Sequence, residues 1–217
     1  IESGATLSLP RSMGGGGGGG SISIGIDIGD GPSALFALGD RRLVNNGTFE
    51  LGGTLELNGI ATIDNAGAIS IVNTGLVADS AEPPGALTIN NFGSFTLPAP
   101  GFSYELRGVT FNSTGALNVQ AGLLRFSGTG NASIEGAVAI GHSGVIEQAG
   151  GTGRIDSPGV VSGQGIIRVS DGQLTLAGGN FDQTLVLTNG SMLIEAPVTA
   201  RFVNMTGGAL SGSEPLT

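Results

Sequence analysis

Two carboxylates facing one sugar linkage across a cleft are the minimum equipment for acid/base hydrolysis of a glycosidic bond. Glu50 and Glu56 stand on either side of Gly52-Gly53, Asp27 and Asp30 lie in GIDIGDG, and Glu135, Glu147 and Asp156 are separated singly by turns. None makes an adjacent acidic pair or a tight cluster. Glu50 with Glu56 is the best pairing the sequence offers, and a solvated outward face accounts for it more simply than catalysis does. His142, the single histidine, sits in IGHSG between glycines and reads as an exposed turn residue. The segment GGTGRID at 150–156 approaches the calcium-binding G-G-x-G-x-D repeat, but Asp156 comes one residue late and the segment occurs once. With neither Cys nor Lys in the chain, thiol and Schiff-base chemistry and zinc-thiolate sites are excluded. The sequence therefore assigns no catalytic residue, no metal ligand and no cofactor.

What the sequence does repeat is a corner. One apolar residue, a few small or polar residues usually including Asn and Gly, and an apolar/polar alternation recur as VNNGTFEL at 44–51, IDNAGAISI at 63–71, INNFGSFTL at 89–97, FNSTGALNV at 111–119 and LTNGSMLI at 187–194. Counted from Val44, Ile63, Ile89 and Phe111, the first four copies are spaced 19, 26 and 22 residues apart. That spacing suits one coil of a parallel β-helix. The turn candidates are Asn46, Gly47, Asn65, Gly67, Asn91, Gly93, Gly115, Asn189 and Gly190, because Asn tolerates left-handed backbone and Gly reaches it freely. If Asn46, Asn65 and Asn91 occupy equivalent corners, their amides stack and bond along the axis, as in cross-β ladders.

Between the corners the elements are short strands. ATLSL at 5–9 and SISIGIDIG at 21–29 alternate; Gly14 to Gly20 form a glycine run within a loop at 11–20; residues 33–43 have room for one short helix. Prolines mark excursions at 78–85 and 98–104, since an internal ladder has no place for them. Leu123, Leu124 and Phe126 are inward candidates, and ASIEG, AVAIG and GVIEQ read as separate short strands. The fold class is all-β, an irregular right-handed parallel β-helix of roughly eight to ten coils rising about 4.8 Å each, with a β-sandwich as the alternative.

Composition agrees with a narrow aliphatic core: 42 glycines, 39% hydrophobic residues and only 5% aromatic ones in 217 residues. Seventeen acidic residues against eight basic ones, all Arg, give a formal charge of −9, which argues against nucleic acid as a partner. No apolar run is long enough for a membrane-spanning helix. Residues 1–217 read as a single β-helical segment of a longer, exported protein. Five sequons, at Asn46, Asn112, Asn131, Asn189 and Asn204, are candidate glycosylation sites if the chain meets that pathway.

At the Asn-Gly corners, in VNNGTFELGGTLELNG, INNFGSFTL, VSDGQLTLAGG and LTNGSMLI, the sequence resembles the repetitive β-helical passengers of autotransporters and filamentous-haemagglutinin-type adhesins. The resemblance covers most of 44–195. It implies a right-handed β-helix, an extracellular or cell-surface location, and a non-catalytic structural or adhesive role, with other copies or subunits of a surface assembly, glycans or a host surface protein as partners. Two other roles occur on such folds: a polysaccharide hydrolase or lyase, and a viral or phage fibre component.

Overall fold

The computed structural model describes residues 34–36, 41–57, 61–79, 87–156 and 161–217. The segments 5–9, 11–20 and 21–29, with Asp27 and Asp30, lie outside them, as do residues 80–85 of the first excursion. The described residues form eighteen strands, and the register between them is parallel throughout. The chain is a right-handed parallel β-solenoid, not a sandwich of antiparallel sheets.

Each coil has three sides, so three parallel sheets stack along the axis. The first sheet takes Arg41–Asn45, Ala61–Asn65, Leu87–Asn91, Thr110–Ser113, Asn131–Ile134, the last part of Val138–Ile155, the last part of Ile166–Leu176, Ser191–Ile194 and Ala209–Gly212. The second begins at Thr48 and continues through Ala68, Ser94 and Ala116 to Val138, Val161 and Phe181. The third runs from Ala34–Phe36 through Gly53–Leu57, Gly75–Asp79, Ser103–Arg107, Leu123–Ser127, Val145–Ala149, Ile166–Val169 and Thr184–Leu187 to Phe202–Met205. Nine stacked strands rise about 40 Å at the usual interstrand spacing.

Alternation fixes which side chain enters the core. In the first sheet Ile63, Ile89 and Phe111 stack in register, each at most 1% exposed. Phe49, Ile69, Phe95 and Leu117 do the same in the second, and Val77, Leu106 and Phe126 in the third. Phe111 closes the middle of the tube, edge-on to Phe95 with ring centroids 5.5 Å apart and 5.4 Å from Phe126. One column carries a polar interruption: Gln148 follows Phe126, is buried, and donates to the carbonyl of Gly150. Gly153 makes room for it, since a Cβ there would run into the Gln148 amide.

Several readings of the sequence need correction. Residues 33–43 hold the strands Ala34–Phe36 and Arg41–Asn45 rather than a helix. The three short strands read at 132–148 belong to two, Asn131–Ile134 and the eighteen-residue Val138–Ile155. The latter turns two corners, and its register shifts at each of them. Leu123 faces outward while its neighbour Leu124 is buried. Ala78 and Asp79 still belong to the strand Ala68–Asp79, and Ser103–Arg107 is a strand, so the second excursion spans 98–102.

Candidate functional site

With few groups equipped for chemistry, the features most able to do something are the ladders that run along the axis. The innermost lies at the corner between the first and second sheets. Asn45, Asn65, Asn91 and Ser113 end four successive strands in exact register and are nearly inaccessible, Asn65 and Asn91 entirely so. Asn45 Nδ2 donates to Asn65 Oδ1 at 2.6 Å, Asn65 Nδ2 to Asn91 Oδ1 at 2.7 Å, and Asn91 Nδ2 to Ser113 Oγ at 2.9 Å. The second amide proton of each goes to a carbonyl one coil on, at Ala68, Ser94 and Ala116. Both ends are closed. Asn45 Oδ1 accepts from Gly47 N at 3.2 Å, and Ser113 Oγ donates to the Gly115 carbonyl at 3.3 Å. No amide proton of the row is wasted, which is the condition under which a buried polar network stabilises.

The same corner is shaped by a row of glycines. Gly47, Gly67, Gly93, Gly115 and Gly136 stack so closely that a Cβ on any of the last four would press into the carbonyl of the glycine before it. Backbone hydrogen bonds hold this spacing: the Asn45 carbonyl accepts from Ala66 N at 2.8 Å and Gly67 N at 3.0 Å, and Asn65 and Asn91 do likewise one and two coils on. Glycine is required here for its size, not for its torsional freedom.

Outside the amide ladder runs a second one, from the buried Asp64 to the exposed Asn112. Asp64 accepts from Arg42 and from Asn90 Nδ2 at 2.7 Å, and Asn90 Oδ1 accepts from Asn112 Nδ2 at 2.9 Å. Burial would raise the Asp64 carboxyl, but the Asn90 amide and the Arg42 guanidinium together hold it below its ordinary value.

The third sheet presents a different array. Glu105, Arg125, Glu147 and Arg168 are in register on its outer face. Arg125 Nε lies 3.6 Å and Arg168 Nη1 4.0 Å from the Glu147 carboxylate. Burial opposes ionisation of Glu105, yet the Ser127 hydroxyl and the Arg107 and Arg125 guanidinium groups keep its carboxyl below the usual range.

The residues singled out in the sequence fall as follows. Asn46 is corrected: it is exposed in the bend, and Asn45 carries the ladder. The reason is register, since Leu43 rather than Val44 pairs with Ile63, and Val44 is 51% exposed. A one-residue slip exchanges inside for outside. The coils are therefore offset by 20, 26 and 22 residues at this corner. The glycine row was the signal that would have set it, because Asn stands two residues before each of Gly47, Gly67 and Gly93. Asn189 and Gly190 are also displaced. They bend the chain from the third sheet into the first, a different corner from the one that Gly47, Gly67, Gly93 and Gly115 occupy. There Gly151, Gly172, Gly190 and Gly208 all have positive φ, between 59° and 78°, a conformation other residues adopt at a cost.

Of the sequons, Asn46, Asn112, Asn131, Asn189 and Asn204 are all exposed. Asn112 is engaged through Nδ2, whereas Asn131 accepts through Oδ1 from Thr152 Oγ1 at 2.6 Å. The backbone of Glu50 belongs to the second sheet and that of Glu56 to the third, so no one face holds both strands. His142 is exposed at the corner between these two sheets. Asp156 is 3.2 Å from Arg154. Among the described residues no group of three or more His, Cys, Asp or Glu side chains is placed to hold a metal ion, and no helix is long and apolar enough to cross a membrane. Comparison with family models, curated proteins and solved structures gives no match.

Proposed function

We propose that the chain is a rod segment of an extracellular or cell-surface protein whose role is structural or adhesive rather than catalytic. The observation that carries this reading is how its polar groups are used: amides, carboxylates and guanidinium groups are paired with their counterparts one coil away. Such pairing builds a repeating surface at fixed spacing, and it engages Asp64, Glu105 and Glu147, carboxylates that a catalytic cleft would have to leave free. The resemblance of the Asn-Gly corners to autotransporter passengers and filamentous-haemagglutinin-type adhesins supports the same role and location. Glycans, neighbouring copies and surface proteins are the partners such a rod would meet, through its flat faces and the excursion at 98–102.

Two measurements test it together. Small-angle scattering from the purified chain should give the profile of an elongated particle; a compact globule refutes the rod. Incubation with a panel of neutral and acidic polysaccharides should give binding or nothing; release of shortened products would replace this reading with a polysaccharide hydrolase or lyase.

A further inference from the structure

The outer face of the third sheet differs from the other two. Its first column reads Ser103, Leu123, Val145, Ile166, so three branched aliphatic side chains stand consecutively outward and partly exposed. At the equivalent outward columns of the first sheet the residues are Thr62, Thr88, Thr110, Asn131 and Thr152. Beside the aliphatic column runs Glu105, Arg125, Glu147, Arg168, and beyond it Arg107, Ser127, Ala149, Asp171.

We propose that this face is self-complementary and pairs two copies of the chain with their axes antiparallel. A two-fold axis along the strand direction, between the coils of Arg125 and Glu147, reverses the coil order and leaves each column facing itself. Glu105 then meets Arg168 of the second copy, Arg107 meets Asp171, and the half-exposed Arg125 comes to lie over Glu147, whose side chain is 8% exposed between Arg125 and Arg168 of its own chain. The aliphatic column meets its own image, Leu123 against Val145. A two-fold axis along the rod would instead set Glu105 on Glu105 and Arg125 on Arg125. An alternating ladder with an even number of charges fits its own reverse, and this one ends in opposite signs.

The position of the ladder adds to the case. It sits at the centre of the third sheet, so reversal about it keeps eight of the nine strands, from Gly53–Leu57 to Phe202–Met205, within the overlap. Eight coils of four or five residues cover roughly 600 Å² on each partner at ordinary strand dimensions, which reaches the range of specific interfaces. The contact is isologous and closes on itself, giving a pair rather than a filament. It specifies one partner of the rod proposed above, and a monomeric elongated particle would refute the pairing while leaving the rod intact.

Two double variants of identical composition separate this pairing from its competitors. Arg125→Glu with Glu147→Arg gives the order minus, minus, plus, plus, which still matches its reverse. Glu147→Arg with Arg168→Glu gives minus, plus, plus, minus, which meets its reverse like on like. Within one chain the first variant creates two like-charged neighbours and the second only one, so damage to the fold would rank them the opposite way. Sedimentation velocity at low salt should show the wild-type chain and the first variant as dimers, with the second variant at half that mass or at least tenfold weaker in association. Val145→Gln, at the centre of the aliphatic column, should weaken pairing by a similar factor while leaving the circular dichroism spectrum unchanged. A wild-type monomer at 100 µM refutes the proposal, as does the reverse ranking of the variants, which is what parallel copies staggered by one coil would give.

Discussion

The two halves of the solenoid solve one buried position in opposite ways. Where the first sheet meets its corner, the early coils place Asn45, Asn65, Asn91 and Ser113, and the later coils, in continuous register, place Ile134, Ile155, Leu176 and Ile194. All eight side chains are buried. The corner itself does not dictate the choice. Glu135 N and Gly136 N still reach the Ser113 carbonyl at 2.8 and 3.1 Å, and Gly136 still stacks on Gly115, although the residue preceding them is Ile134. What the comparison teaches is that such a column must be consistent with itself. An amide inside needs its donors and acceptor met, either by amides along the column or, as at Gln148 between Phe126 and Val169, by the backbone of its own corner, and Ser113, which accepts from Asn91 and donates to its own corner, is the residue that lets the column change character.

The strongest test puts the wrong type in the wrong half. Ile155→Asn sets an amide between Ile134 and Leu176 with no partner above or below. It should cost about 4 kcal/mol, lost apolar burial and an unpaired buried polar group acting together. Denaturant unfolding followed by circular dichroism measures it, and a cost below about 1 kcal/mol would mean that the column tolerates mixed character.

The reciprocal change is milder. Asn65→Leu strands the Oδ1 of Asn91 and removes one partner of Asn45, for a cost of about 2–3 kcal/mol. Changing Asn45, Asn65 and Asn91 to Leu together with Ser113→Ala removes donors and acceptors in matched sets. The combined loss should fall well short of the sum of the four single changes, because residues of one network couple. Additive costs would show that each amide acts through its own backbone contact at Ala68, Ser94 or Ala116 and not through the ladder.

How much of this was legible in the sequence depends on what each residue type announces. The recurrence of Asn and Gly, the absence of long amphipathic periodicity and the glycine content pointed to a β-solenoid, and the parallel register agrees. The phase was harder to read, because VNN offers two consecutive asparagines and two neighbouring apolar residues, Leu43 and Val44, for one inward place. Stacking decides between them, and stacking is a property of three coils at once. LTNGSMLI repeats the wording of the other corners but turns from the third sheet into the first, since an Asn-Gly pair encodes a turn and not which turn. The alternating charges on the third sheet were invisible for the same reason: Glu105, Arg125, Glu147 and Arg168 become neighbours only through offsets of 20 to 22 residues.

Acid should sharpen the contrast between halves at lower amplitude. The Asp64 carboxyl ionises more readily in the fold than in the unfolded chain, so the fold binds that proton less well. The sign follows: its contribution is fully present above the unfolded value near pH 4, and is lost as the pH falls through the lower folded value. Arg42 is largely exposed, so most of the effect should come through Asn90. Asp64→Asn should flatten the fall in unfolding midpoint between pH 4 and pH 2. An unchanged pH profile would detach Asp64 from the outer ladder.

The smallest effect belongs to the later half, and its smallness is the point. Arg154 reaches Asp156 just past the end of its own strand and Glu195 two coils away, spanning the coil that carries Ala177 at the intervening corner. On geometry alone this clasp looks like the counterpart of the amide ladder. Its three side chains are, however, about 40% exposed, so water and salt screen the attraction, and ordering an arginine side chain opposes it. Arg154→Ala should lower stability by no more than about 1 kcal/mol, and by less at high ionic strength, whereas the cost of Asn65→Leu should not respond to salt. A loss from Arg154→Ala as large as that from Asn65→Leu, persisting in salt, would mean that the later coils are joined by surface charge and not by the continuity of Ile134, Ile155, Leu176 and Ile194. The aliphatic column would then be filling, and the clasp would be the joint.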